Sequence, residues 1–133
     1  MKRPVAILVS VLMGVALMPF SAQADDLLAG IPAPPDGKSL GTEAISSGGQ
    51  QASYSTSADP GAVLASYQEA LPGAGWTVTG SGGAGGAYGG GGGLQATNGP
   101  KYLSINAGGP AGRTFVHVCV WPAKPSNDNC GGD

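Results

Sequence analysis

The sequence predicts an α+β domain: one amphipathic helix packed on an antiparallel sheet of about four to six strands, in the chain order ββαββββ. Three observations lead there. Residues 59–71 carry apolar side chains at helical spacing between a capping Asp and a Pro-Gly stop. Segments on both sides of it alternate apolar and polar residues, the period of a half-buried strand. Short clusters of Gly, Asn, Ser and Pro separate these segments at hairpin distances.

The first 24 residues stand apart from that domain. Lys2 and Arg3 precede an apolar run from Val5 to Met18, and Pro19-Phe20 leads into Ala22-Gln23-Ala24. A basic end, a short greasy middle and a small-x-small site describe a secretory signal peptide over residues 1–24. The working protein then begins near Asp25 and is periplasmic or secreted. The residue after the cut is Asp25 and not Cys, so no lipid anchor is expected. No later apolar run approaches the roughly 20 residues needed to cross a bilayer, so no membrane insertion is expected after signal removal.

Residues 25–37 form a Pro-rich leader: Pro32, Pro34 and Pro35 forbid helix and favour extended chain, with Leu27, Leu28 and Ile31 available to dock. The domain proper spans residues 38–121. Strand-like segments at 38–46 and 50–57 flank Ser47-Gly48-Gly49, where Gly-Gly supplies the positive φ of a tight turn. Asp59 is a natural N-cap and Pro60 suits the first helical position. Val63, Leu64, Tyr67 and Leu71 make one stripe, and Pro72-Gly73 ends the helix.

Trp76–Thr79 reads as the third strand, 93–97 as the fourth and 101–107 as the fifth, the last two joined at Asn98-Gly99. The last strand runs from about Arg113 to Trp121. Val116, Val118 and Val120 are expected to face the helix, with Phe115, His117, Cys119 and Trp121 on the opposite face. Between the third and fourth strands lie ten glycines in the fourteen positions 80–93. Such a segment loses so much backbone entropy on ordering that a mobile loop is expected. Residues 122–133 are expected to form a tail tied by a Cys119–Cys130 disulfide, as two cysteines in an oxidising compartment usually pair. A loop of that size contributes on the order of 2–3 kcal/mol.

Without the signal peptide four cations remain, Lys38, Lys101, Arg113 and Lys124, against eight acids, a net charge of −4. They are scattered, which removes the counterion-release driving force for nucleic acid, so nucleic-acid partners are not expected. No cofactor is expected and no metal-ligand spacing is present. Gly80-x-Gly82-x-x-Gly85 matches a dinucleotide-binding spacing, but more glycine follows where a helix is required. Gly37-Lys38-Ser39-Leu40-Gly41 matches G-x-S-x-G, and His117 is the single histidine. The strand-to-helix elbow that activates such a serine is missing around Ser39.

The run Asp59-Pro60-x-x-Val63-Leu64-x-x-Tyr67-x-x-x-Leu71 followed by Gly75-Trp76 is similar to a recurring pattern in small exported bacterial proteins of unassigned function. In those proteins a helix ending in Gly-Trp passes into an antiparallel sheet. The architecture distantly resembles the helix-on-sheet domains of the lipoprotein subunit of the outer-membrane protein assembly machinery. The resemblance covers residues 50–121 and implies a fold. It carries over no functional residue, and the anchor Cys of that lipoprotein has no counterpart here.

The functional expectation is a non-catalytic domain binding an envelope or extracellular protein or glycan through Tyr102, Phe115, His117 and Trp121, with Thr77 and Thr79 at the rim. Two alternatives stand beside it: a small serine hydrolase using Ser39 and His117, and a secreted inhibitor or effector acting through the Gly-rich loop. The export reading is checked by mass spectrometry of the protein recovered from outside the cytoplasm. Asp25 is the expected first residue, and an intact Met1–Ala24 segment contradicts it.

Overall fold

The computed structural model describes residues 26–86 and 89–130. The proposed signal peptide, residues 1–24, lies outside them. One helix packs on a six-stranded antiparallel sheet. The strands are β1 (Lys38–Ile45), β2 (Gly49–Thr56), β3 (Thr77–Gly86), β4 (Gly89–Asn98), β5 (Lys101–Gly109) and β6 (Thr114–Trp121), and the helix α1 is Pro60–Ala70. Their order across the sheet is β1-β2-β6-β5-β4-β3. Thus β3 to β6 form a meander, and β6 closes against the β1–β2 hairpin.

Helix α1 starts where the sequence places it. The Asp59 carboxylate accepts the Ala62 N–H at 3.2 Å, and Pro60 occupies the first turn. That cap is worth about 1 kcal/mol. Val63, Leu64, Tyr67 and Leu71 are all buried against the inner sheet face, among Leu94, Leu103, Ile105, Val116, Val118 and Val120. After Leu71 the chain tightens into a 3-10 turn, Pro72–Ala74, and Gly75 takes φ 95° so that Trp76 N–H can return to Leu71 C=O at 3.0 Å. This left-handed glycine aims Trp76 into the same core.

Helix α1 lies over β3, β4 and β5. The leader completes the layer: Leu27, Leu28 and Ile31 pack on the core, and its 3-10 turn at Asp26–Leu28 contacts β2 and β6. Two buried hydroxyls fasten it. Tyr67 O–H donates to Pro32 C=O at 2.8 Å, and Thr56 O–H donates to Pro35 C=O at 2.5 Å.

Three expectations change. The β1–β2 turn places positive φ at Ser47 (62°) and Gly48 (77°), while Gly49 is extended at φ −88°. Gly49 is required for space and not for turn geometry. The β4–β5 turn has Gly99 (φ 62°) and Pro100 between the paired residues Asn98 and Lys101, the Gly-first pattern of a type II′ hairpin. Most substantially, the described residues of the Gly-rich segment, 80–86 and 89–93, are strand and not loop: Gly82 pairs with Gly93, Gly83 with Gly92 and Gly86 with Gly89. The reason is templating. β5 runs beside β4 as far as the Gly90–Gly109 pair, so ladder bonds organise a backbone that has no side-chain preference of its own.

A Cβ on Gly49 would lie 2.5 Å from Trp121 Cδ1 and 2.8 Å from its Nε1. The indole is 2 % exposed and held by its N–H···O=C bond to Ser46 at 3.1 Å, so it has no room to retreat. Gly49→Ala is therefore expected to lower stability by about 1–3 kcal/mol, read as a lower urea midpoint. Gly61→Ala, in open space on the helix, is the control expected to lower nothing.

Candidate functional site

The strand register assembles the outer sheet face in rows. β6 contributes Phe115, His117, Cys119 and Trp121. Their neighbours are Gly108, Asn106, Ser104 and Tyr102 from β5, and Ser55, Ser53 and Gln51 from β2. The face is therefore lined mainly by hydroxyl, amide and glycine positions, with aromatic residues at both ends.

The tail divides this face. Cys119 and Cys130 are disulfide-bonded, which lays residues 122–130 across one half. There Tyr102, Trp121, Cys119 and Cys130 form a second small core with Ile45 against it. The Tyr102 and Trp121 ring centroids are 6.0 Å apart, and Lys124 Nζ stands 5.6 Å from the Tyr102 ring. Tyr102 O–H donates to the Asp128 carboxylate at 2.7 Å, and the Asn106 amide donates to Cys130 C=O. Tyr102 (7 % exposed) and Trp121 (2 %) are thus enclosed and do not face a partner. The physical reason is the crosslink, which brings a cover onto the most apolar part of the face. The leader packs on the opposite, helix-bearing face.

Among the described residues nothing covers the other half. Phe115 is 37 % exposed, with the Arg113 guanidinium 5.8 Å from its ring centroid. His117 is half-buried, its Nδ1 3.2 Å from Ser53 Oγ on the neighbouring strand. Between Phe115 and the tail residues Asn129 and Cys130 lies a shallow depression of about 390 Å³, with Asn106, His117 and Gly108 among its lining residues. Among the described residues its lining carries amide, imidazole and backbone groups, one aromatic ring, and neither Lys, Arg, Asp nor Glu.

Of the four residues singled out from sequence, the fold brings Phe115 and His117 to this opening and turns Tyr102 and Trp121 into its support. Thr77 and Thr79 lie on β3, the far edge strand. Ser53 and Asn106 were missed, since only the pairing of β2 with β6 and β6 with β5 sets them beside His117. Ser39 is on β1 and pairs with Tyr54, so β2 stands between its strand and that of His117. Its hydroxyl accepts the Gly41 N–H at 3.3 Å. Ser53 is the serine next to the imidazole. A hydroxyl–imidazole pair becomes a nucleophile when a third group orients the ring, and no side chain hydrogen-bonds the Nε2 of His117 among the described residues.

Among the described residues there is no group of three or more His, Cys, Asp or Glu placed to hold a metal ion. None of their helices is long and apolar enough to cross a membrane. No protein-family model matches the chain, and neither a curated protein nor a solved structure matches it.

Burial, the hydrogen bond to Asp128 and the charge of that carboxylate push the Tyr102 hydroxyl up to about 12. Burial, followed by the neighbouring Tyr54, also raises Tyr67. Since the ordinary value is near 10, the stability contributed by protonated Tyr102 is complete below about pH 10 and is lost as pH rises through about 12. Tyr102→Phe is expected to cost roughly 1 kcal/mol at neutral pH by removing that hydrogen bond. It is also expected to flatten the alkaline decline, as seen in urea midpoints measured between about pH 7 and 11.

Proposed function

We propose that the chain is a small exported, non-catalytic domain that binds a neutral saccharide of the cell envelope or its surroundings, in the open half of the outer sheet face. The observation that carries this reading is the makeup of the depression: among its described lining residues there is one exposed aromatic ring, with amide and imidazole groups and no charged side chain. A sugar ring offers an apolar C–H face to an aromatic ring and hydroxyls to amides and imidazole, and it needs no counter-charge. The imidazole is held in place by Ser53, and the Asn106 amide is anchored to the tail. The polar groups are therefore pre-positioned, which lowers the ordering cost of binding.

The exported setting rests on the basic-apolar-small amino-terminal pattern and on the disulfide, which persists in oxidising compartments. The hydrolase reading through Ser39 and His117 is not favoured, because an intervening strand separates their strands. Action through a free Gly-rich loop is not favoured either, because much of that segment is paired backbone.

Co-sedimentation with insoluble envelope polysaccharides tests the proposal. Wild-type protein is expected in the pellet, and Phe115→Ala or His117→Ala is expected to weaken retention about tenfold or more. Phe115 is partly exposed, so its removal should leave the thermal midpoint nearly unchanged. Retention of wild type and Phe115→Ala to the same extent, or of neither by any polysaccharide tried, refutes the assignment.

A further inference from the structure

Leu40 and Phe115 are the two large hydrophobic side chains exposed among the described residues. Phe115 belongs to the depression. Leu40, at 56 % exposure, belongs to β1, an edge strand whose first seven residues are all exposed. An open edge presents unpaired backbone N–H and C=O groups to any strand of matching pattern.

The pattern of β1 matches itself. A bulge lies between Ser39 and Gly41, so Lys38 and Glu43, five residues apart, have register partners Ser55 and Gln51 on the same face. Neither side chain has an ion-pair partner among the described residues. An antiparallel copy of β1, paired about a two-fold axis between Leu40 and Gly41, sets Lys38 opposite Glu43 twice over. Ser39 then meets Thr42, and Leu40 meets Gly41. A Cβ at Gly41 would touch nothing within 4 Å, so the space beside it admits a neighbour's leucine. The other edge strand, β3, has five glycines among its ten residues and no charged residue. It lacks any comparable register signal.

We propose that two copies of this chain associate through β1, joining their sheets into one twelve-stranded antiparallel sheet with reciprocal Lys38–Glu43 pairs. The two-fold axis stands perpendicular to the sheet, so both outer faces point the same way. Five strand spacings separate β6 of one copy from β6 of the other, which puts the two depressions about 24 Å apart. The pair thereby presents two like sites to a repeating polymer, and simultaneous engagement raises retention without any new contact. The dimer itself does not depend on what the depression binds.

Charge exchange tests this directly. In sedimentation velocity the wild-type protein is expected to show a weak dimer, with Kd on the order of 10–100 μM for an interface of this small size. Lys38→Glu and Glu43→Lys each place like charges opposite one another, and each is expected to raise Kd about tenfold or more. The double variant K38E/E43K restores the pairs and should return to the wild-type Kd. An equimolar mixture of the two single variants should form a heterodimer, since one supplies two acids and the other two lysines. A wild-type monomer at all concentrations up to about 1 mM overturns the proposal and leaves the edge to a foreign strand. So does a double variant as weak as the singles, or a mixture that fails to associate.

Discussion

The structure depends on β6 being covered on both faces. Val116, Val118 and Val120 fill the helix side, while Cys119 and Trp121 fill the other. A strand with period-two alternation normally keeps one face wet. Here both faces are apolar, and β6 sits third from one edge and fourth from the other, between β2 and β5. Once it occupies that place, two separate covers are required. Helix α1 and the leader provide one, and the crosslinked tail provides the other.

The two covers differ in strength. On the inner side the apolar stripe of α1 and the leader's Leu27, Leu28 and Ile31 bury a continuous core. Between Pro122 and Cys130 the tail offers only Ala123 and Pro125 as apolar side chains, so hydrophobic burial contributes little to holding it. Its attachment is instead covalent and polar, through Cys119–Cys130, Tyr102 to Asp128 and Asn106 to Cys130. The depression at Phe115 and His117 lies beside those anchors, where residues 122–130 do not cover the sheet.

The functional surface is thus a remainder, the part of a two-sided sheet that tail residues 122–130 do not cover. Its floor includes glycine backbone from the segment whose side chains are almost missing. Gly93 shows why bulk is excluded there, since a Cβ would come within 3.0 Å of Asn106 Oδ1. The flatness of this region and the polarity of its neighbours follow from the same row of register pairs, His117 with Ser53 on one side and Asn106 on the other.

Local chemistry was enough to specify the helix, its cap, its buried stripe, the alternation of β5 and β6 and the cysteine pair. Each of these is written in residues close together in the chain or in the only two cysteines present. Glycine spacing misled, because an entropic preference for disorder is a local property, whereas β4 is held by a neighbour that is itself ordered through side chains. The site divides the same way. Phe115 and His117 were legible as one face of one strand. That Tyr102 and Trp121 lie under a cover, and that Ser53 and Asn106 flank the imidazole, was decided by tertiary structure, because the residues that β2 pairs with β6 lie between 58 and 70 positions apart along the chain. A period of two tells which residues share a face. It does not tell which strand lies alongside, or what lies on top.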